Sequence, residues 1–188
     1  MSMSEMISRA AASTSQMIHS IEAVTPDAPT TCSEWDFAEL ANHLTGFLPY
    51  TANAARRGPA MEGEAPNFAA DPNWATTFEA LATDAAAAWS TPRALEGTVQ
   101  FGSGDMPAQY AADITLMELV IHGWDLAHST GTPYSVDQDI AATVAKIVDG
   151  AAANSPGGFF DSPQDAPADA SMLEQAVATS GRNPRQAI

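Results

Sequence analysis

Three ionisable side chains lie close together in the largely apolar stretch 116–128, LMELVIHGWDLAH. At 100° per residue, His122 lies about 40° from Glu118 around a helix, and Asp125 lies about 20° to the other side. The three groups therefore form one polar stripe, in which a carboxylate is costly to bury unless it is paired or bound to a metal. The stripe indicates either an ordinary Glu–His contact one turn apart or two metal ligands, Glu118 and His122, on one helix face.

A third candidate ligand lies on another predicted helix. In the segment ELANHLTGF, His43 lies at the edge of an apolar helix face. A lone histidine in that position is most often a hydrogen-bonded core residue. Together with Glu118 and His122, it completes a His₂-carboxylate set, which is a common catalytic zinc site with an open fourth position. Iron, manganese or nickel use the same donors. Asp125 is predicted to orient a ligand or a bound water, or to act as an acid or base.

Four other residues have ordinary explanations beside functional ones. Cys32 precedes a predicted helix, where a thiolate could be stabilised, but a small buried apolar role is the favoured interpretation. Trp35 is predicted to pack in the helical core. Arg56 and Arg57 end the second predicted helix, where they suit the helix dipole. Because the chain has only 7 Lys and Arg residues, these two are also candidates for binding an anionic thiol or substrate.

Helices must position these residues. Apolar periodicity and stop signals predict a mainly α-helical bundle with long irregular connections, in a single domain over residues 1–188. Ser33 and Asp36 match a capping box and predict the start of the second helix. Weak alternation from Leu95 to Phe101 predicts a short strand or hairpin. The predicted helices cover about residues 5–23, 33–57, 73–89, 107–129, 137–153 and 171–181.

The composition excludes several classes of partner. A net charge of −16 repels phosphate backbones and anionic membrane surfaces, so nucleic acid and membranes are not expected partners. No apolar segment approaches the length of a membrane span, and the N-terminus lacks the pattern of a targeting signal. The single cysteine excludes an intramolecular disulfide and fits a reducing compartment. We therefore expect a cytoplasmic monomer or homodimer that acts on small molecules.

Two motifs resemble those of a known family. TTCSEWDFAELANHLTGF is similar to the N-terminal signature of the mycothiol-dependent maleylpyruvate isomerase family, part of the DinB-like superfamily. ELVIHGWDLAHSTG resembles that family's second signature, and the C-terminal FFDSPQDAPADASMLEQAVATSGRNPRQ resembles the tail of small actinobacterial members. The resemblance implies a DinB-like four-helix bundle that binds a divalent metal, usually zinc, through His43, Glu118 and His122.

The resemblance also implies a chemistry. In thiol-dependent members a metal binds a low-molecular-weight thiol, lowers its pKa and presents a thiolate to an electrophilic substrate. Mycothiol would be the natural thiol. The isomerase has a further C-terminal domain that contributes to its active site, so the general thiol chemistry transfers better than maleylpyruvate isomerisation itself. A metal- and thiol-dependent transferase or isomerase is expected. Two alternatives stay open, namely a non-catalytic metal-binding sensor or interaction module, and a metal-dependent hydrolase.

Overall fold

The structure, a computed structural model, describes residues 1–32, 35–59, 61, 65–102, 104–154 and 160–186. Within these residues the chain forms six α-helices and one two-stranded antiparallel sheet, which confirms the predicted mainly α-helical class. In chain order the elements are α1 (Met3–His19), α2 (Phe37–Ala55), α3 (Trp74–Trp89), β1 (Thr98–Phe101), β2 (Gly104–Pro107), α4 (Ala108–Thr130), α5 (Gln138–Asn154) and α6 (Met172–Thr179), with a short 3-10 turn at Phe68–Ala70.

The first four helices form the bundle. Helix α1 packs against α3 and α4, and helix α2 packs against the same two helices. Helix α5 then packs on α4, and α6 packs on α5. The buried faces form one hydrophobic core, which includes Ile7, Leu44, Trp89 and Leu116. The expected helical bundle is therefore confirmed, and the C-terminal part of the chain folds against its α4 side.

Helix α2 begins later than the sequence suggests. Its N-cap is Asp36, whose Oδ1 accepts from the Glu39 N–H at 2.9 Å, while the Glu39 carboxylate accepts from the Asp36 N–H at 3.0 Å. The Phe37 N–H donates to the Ala28 carbonyl at 2.9 Å, which keeps the preceding segment out of the helix. The prediction that α2 starts at Ser33 is therefore wrong, and Ser33 itself lies outside the described residues. Thr31, Cys32 and Trp35 lie outside the helix.

Helix α4 is the central element of the fold. Its 23 residues contact α1, α2, α5 and the hairpin, so most of its surface is buried. It ends at Gly131, whose φ of 66° lies in the left-handed region that favours glycine. Because α4 is enclosed on several sides, any charged residue along it needs a partner within the protein. This constraint applies directly to Glu118, His122 and Asp125.

The predicted strand is one arm of a β-hairpin. Strand β1 pairs antiparallel with β2, with Val99 opposite Met106. The hairpin packs against α2 and α4, and Val99 and Phe101 point into the core. In the part of the chain that the structure describes, no helix combines the length and apolarity that crossing a membrane requires.

Candidate metal centre

His43, Glu118 and His122 lie together where α2 faces α4. The Glu118 Oε2 atom is 2.8 Å from His43 Nε2 and 3.4 Å from His122 Nε2. One donor atom from each residue lies within 4.8 Å of the others. Helix α4 supplies Glu118 and His122 because residues four apart share a face, and α2 supplies His43 from across the helix contact. The structure thus brings together the three predicted ligands, and metal binding itself stays a prediction.

The three side chains are partly open to solvent. The exposed fraction is 34% for the side chain of His43, 15% for that of Glu118 and 11% for that of His122. The group is therefore open to solvent mainly at His43. A fully buried set of the same residues would offer no such access.

The charges of the group suit a cation. Burial lowers the pKa of His122, but the Glu118 charge and the hydrogen bond to Asp125 outweigh burial and raise it to about 10. Burial likewise raises the pKa of Glu118, but the neighbouring His122 and His43 outweigh it, and the pKa falls below its usual value. The surroundings of His122 therefore favour its positively charged form. Two imidazoles and one carboxylate with an accessible side fit a divalent metal, and zinc in particular.

Asp125 contacts the other nitrogen of the His122 ring. Its Oδ2 lies 2.9 Å from His122 Nδ1 and accepts the proton of that nitrogen, which leaves Nε2 directed at Glu118. Carboxylate–histidine pairs of this kind orient metal ligands, so the contact fits the orienting role of Asp125, which stays a prediction. The acid or base alternative has less support, because Asp125 has no exposed surface through which to exchange protons with a substrate.

Arg182, close to the C-terminal end of the described chain, holds Asp125 in turn. Its Nε donates to Asp125 Oδ1 at 2.8 Å and its Nη2 donates to Oδ2 at 2.8 Å. Burial raises the pKa of Asp125, but the Arg182 charge outweighs burial and holds that pKa well below its usual range. Sequence reasoning missed Arg182, which follows Asp125 by 57 residues. The sequence offers one general indication of such a residue, because a carboxylate buried on α4 needs a positively charged partner.

The loop before α2 completes the surroundings of Asp125. The Thr31 hydroxyl donates to Asp125 Oδ1 at 2.5 Å, and the Cys32 thiol lies 3.3 Å from Oδ2. Cys32 is half-buried and packs against the hydrophobic core, as the apolar interpretation expects, and its sulfur also lies 3.2 Å from Arg182 Nη2. Cys32, His122 and Asp125 also lie within metal-ligand distance of one another, but the Arg182 guanidinium already supplies positive charge there.

Trp35, from the same loop, covers both imidazoles. Its ring centroid lies 4.4 Å from that of His43 and 5.6 Å from that of His122. Trp35 also packs against the hydrophobic core, as the sequence predicts. The ring therefore shields one side of the candidate ligands from water.

Arg56 and Arg57 lie away from this group. Arg56 pairs with Asp84 at 2.6 Å, with both side chains about half exposed, and Arg57 donates to the backbone carbonyl of Thr98. The two arginines line a separate cleft of about 700 Å³. Arg56 follows His43 by thirteen helical residues, roughly 20 Å along the axis at 1.5 Å per residue. The structure does not bring them to the candidate ligands, and their predicted role in binding thiol or substrate stays a prediction.

Comparisons with known proteins agree with the sequence motifs. The model of the mycothiol maleylpyruvate isomerase N-terminal domain matches residues 8–127. The chain belongs to this family. Two relatives in Mycobacterium tuberculosis are the uncharacterized proteins Rv0738 of strain H37Rv and MT0763 of strain CDC 1551. Each is 26% identical over 160 residues, which cover 84% of this chain and 85% of the relative. No solved structure matches the chain significantly.

The match to the mycothiol maleylpyruvate isomerase N-terminal domain includes the three candidate ligands and Asp125. It ends at residue 127, before α5, α6 and Arg182. The cation that pairs with Asp125 in this structure therefore comes from a part of the chain outside the matched domain.

Proposed function

We propose that this protein binds a divalent metal through His43, Glu118 and His122 and uses it in a thiol-dependent transfer or isomerisation. Zinc is the first candidate for the metal. The observation that carries the proposal is the convergence of two imidazoles and a carboxylate at a solvent-accessible point. The ion would supply Lewis acidity that lowers the pKa of a thiol at its open position. Mycothiol is the first candidate thiol, because the family is described by a mycothiol-dependent isomerase.

The protein's own residues orient and shield the site. Asp125 accepts the Nδ1 proton of His122 and so orients the ring with Nε2 towards Glu118, where Nε2 would bind a metal after losing its own proton. Trp35 lies against both imidazoles and excludes water from that side. His43 is the most exposed of the three ligands, so a thiol and an electrophilic substrate would approach next to it.

An open coordination position favours an enzyme over a non-catalytic metal-binding module. A closed site would need a fourth protein ligand. Among the described residues, no other histidine, cysteine or acidic side chain joins His43, Glu118 and His122 within ligand distance. Asp125 lies on the far side of the His122 ring and is bound to Arg182. A metal held by these three residues would therefore keep a position that no described protein donor fills.

Metal content is the first test. Protein purified without a metal-binding tag should contain about one metal ion per chain by plasma mass spectrometry. His43→Ala and Glu118→Ala should lose the metal while keeping the helical circular dichroism spectrum. His19→Ala is the matched control, because His19 pairs with Glu79 elsewhere on the surface. Native protein that contains no metal and takes up no zinc, iron, nickel or manganese would contradict the proposal.

Thiol dependence is the second test. Metal-loaded protein should convert electrophiles, such as an activated haloarene or an α,β-unsaturated keto acid, only when mycothiol is present. Glu118→Ala should be inactive at every thiol concentration. Stoichiometric metal binding without turnover for any thiol and electrophile pair would instead favour the non-catalytic module.

A further inference from the structure

We propose that Arg182 is a positioning residue of the candidate metal centre, acting through Asp125 on His122. Its guanidinium fixes the Asp125 carboxylate, and this carboxylate fixes the ring of His122 with Nε2 towards Glu118 and His43. The metal-binding readout of this inference rests on the proposed function, whereas the orientation of the His122 ring does not.

The contact between the Arg182 guanidinium and the Asp125 carboxylate is bidentate. Two parallel hydrogen bonds join them, Nε to Oδ1 and Nη2 to Oδ2, both at 2.8 Å. A planar guanidinium sets the plane of the carboxylate that it binds, which the single ammonium of a lysine does not do. The plane of the Asp125 carboxylate in turn sets the direction in which Oδ2 meets His122 Nδ1, at 2.9 Å. The contacts thus form a continuous chain from Arg182 to the ligand ring.

Arg182 is itself held in place by the C-terminal helix. Its Nη1 donates to the Ser180 carbonyl at 3.0 Å, and Ser180 is buried directly after α6. Between them, Gly181 has a φ of 87°, a left-handed conformation that side chains with a Cβ rarely adopt. A Cβ at this position would also lie 2.6 Å from the Cβ of Asp161. The glycine allows the sharp turn that directs Arg182 back into the bundle.

The surroundings of Arg182 favour a positioning role over contact with a substrate. Its side chain is only 11% exposed. All three of its nitrogens donate within the protein, to Asp125, to Ser180 and to the Cys32 sulfur. An anionic substrate would therefore find no free N–H group directed at it. The side chain can affect the site only through the residues that it holds.

Zinc affinity tests the inference directly. Dissociation constants are measured for the full chain by competition with a chromophoric chelator. Arg182→Gln should weaken zinc binding about 10- to 100-fold, the usual effect of losing a partner behind a metal ligand. Arg182→Lys should lose less zinc affinity than Arg182→Gln, because lysine keeps the positive charge but cannot make the bidentate contact. Arg185→Gln is the matched control, since Arg185 is 54% exposed and pairs with Asp169 on the surface, and it should bind zinc like the wild type.

A double-mutant cycle separates action through Asp125 from a general loss of structure. In an Asp125→Asn background the path to His122 is already altered, so adding Arg182→Gln should change zinc affinity less than about twofold. An equal fold-loss in the wild-type and Asp125→Asn backgrounds would overturn the inference. Where Arg182→Gln alone does not fold, Arg182→Lys takes its place in the cycle, because it keeps the buried positive charge and loses the bidentate contact.

A second readout needs no metal. In zinc-free wild-type protein, nuclear magnetic resonance should show a low-field His122 Nδ1–H proton bonded to Asp125, and this signal should be lost in Arg182→Gln and kept in Arg185→Gln. If the wild type binds no zinc, the proposed function fails and this signal still decides the positioning role. If Arg182→Gln folds and keeps both the signal and the zinc affinity of the wild type, Arg182 is merely structural and the inference is wrong.

Discussion

Helices α2 and α4 enclose two polar clusters of different character. In the first, Trp89 Nε1–H donates to the Thr51 hydroxyl at 3.0 Å, Thr51 donates to Thr115, and Thr115 donates to the Ala111 carbonyl at 2.8 Å. These side chains are neutral and fully buried. Every donor has an acceptor within the core, so this hydroxyl cluster is complete without any ligand.

The second cluster is the set formed by His43, Glu118 and His122. It is charged, partly exposed and built from groups that metals bind. The two clusters lie along the same pair of helices, so burial between helices does not by itself make a site. Convergent charge together with access to solvent distinguishes the second cluster.

Zinc should stabilise the protein only while the charged cluster is intact. At free zinc 100-fold above its dissociation constant, the free energy of unfolding should rise by about 2.7 kcal/mol, which thermal denaturation measures as a higher Tm. Glu118→Gln should abolish the gain because it removes the charged oxygen ligand. Thr115→Val, in the hydroxyl cluster, should keep it. The same gain in Glu118→Gln would place the metal elsewhere.

Breaking the hydroxyl cluster should affect stability alone. Thr51→Val leaves the Trp89 Nε1–H without an acceptor and should lower the free energy of unfolding by about 1–3 kcal/mol in urea denaturation. The stabilisation by zinc should not change. Thr76→Val, on the exposed face of α3, is the control and should stay within about 0.5 kcal/mol of the wild type. A parallel loss of zinc affinity in Thr51→Val would show that the two clusters are coupled.

The charged cluster should release a proton when it binds zinc. The pKa of His122 is raised to about 10 in the zinc-free protein, so Nε2 carries a proton at neutral pH and must lose it on binding. The apparent zinc affinity should therefore rise with pH, about tenfold per unit between pH 7 and 9. Calorimetry in two buffers of different ionisation enthalpy counts the protons. Thr115→Val should show the same dependence of zinc affinity on pH as the wild type. Zinc binding without proton release would mean that His122 is already neutral in the zinc-free protein.

Removing an exposed ion pair that lies apart from the candidate metal ligands should have the smallest effect on stability and on zinc affinity. Arg56 and Asp84 form an exposed ion pair, so Arg56→Gln should change the free energy of unfolding by less than about 1 kcal/mol. Zinc affinity should equal that of the wild type. A change in thiol affinity in this variant would support the predicted role of Arg56 in binding the thiol or substrate.

Much of the fold and three of the site residues follow from local sequence patterns. Helical periodicity is a local property, so the positions of α3, α4 and α5 were predictable to within a residue or two. The same periodicity places Glu118 and His122 on one face, because residues four apart on a helix are neighbours whatever the rest of the chain does. His43 was a weaker prediction, since it required the assumption that α2 faces α4.

The start of α2 shows where local patterns stop being decisive. Ser33 with Asp36 and Asp36 with Glu39 both match a capping box. Nothing local chooses between them. Tertiary hydrogen bonds, such as that from the Phe37 N–H to the Ala28 carbonyl, select the second. That choice places Cys32 and Trp35 in a loop next to the candidate ligands.

Local sequence patterns therefore account for the helices, the polar stripe of α4 and the chemical nature of its candidate ligands. The residues that support these ligands depend on how distant parts of the chain pack together. Arg182 reaches Asp125 across 57 residues of chain, and no periodicity relates two residues so far apart. A buried carboxylate demands a cation, but which of the chain's few cations meets that demand depends on how α6 and the turn at Gly181 pack against the bundle.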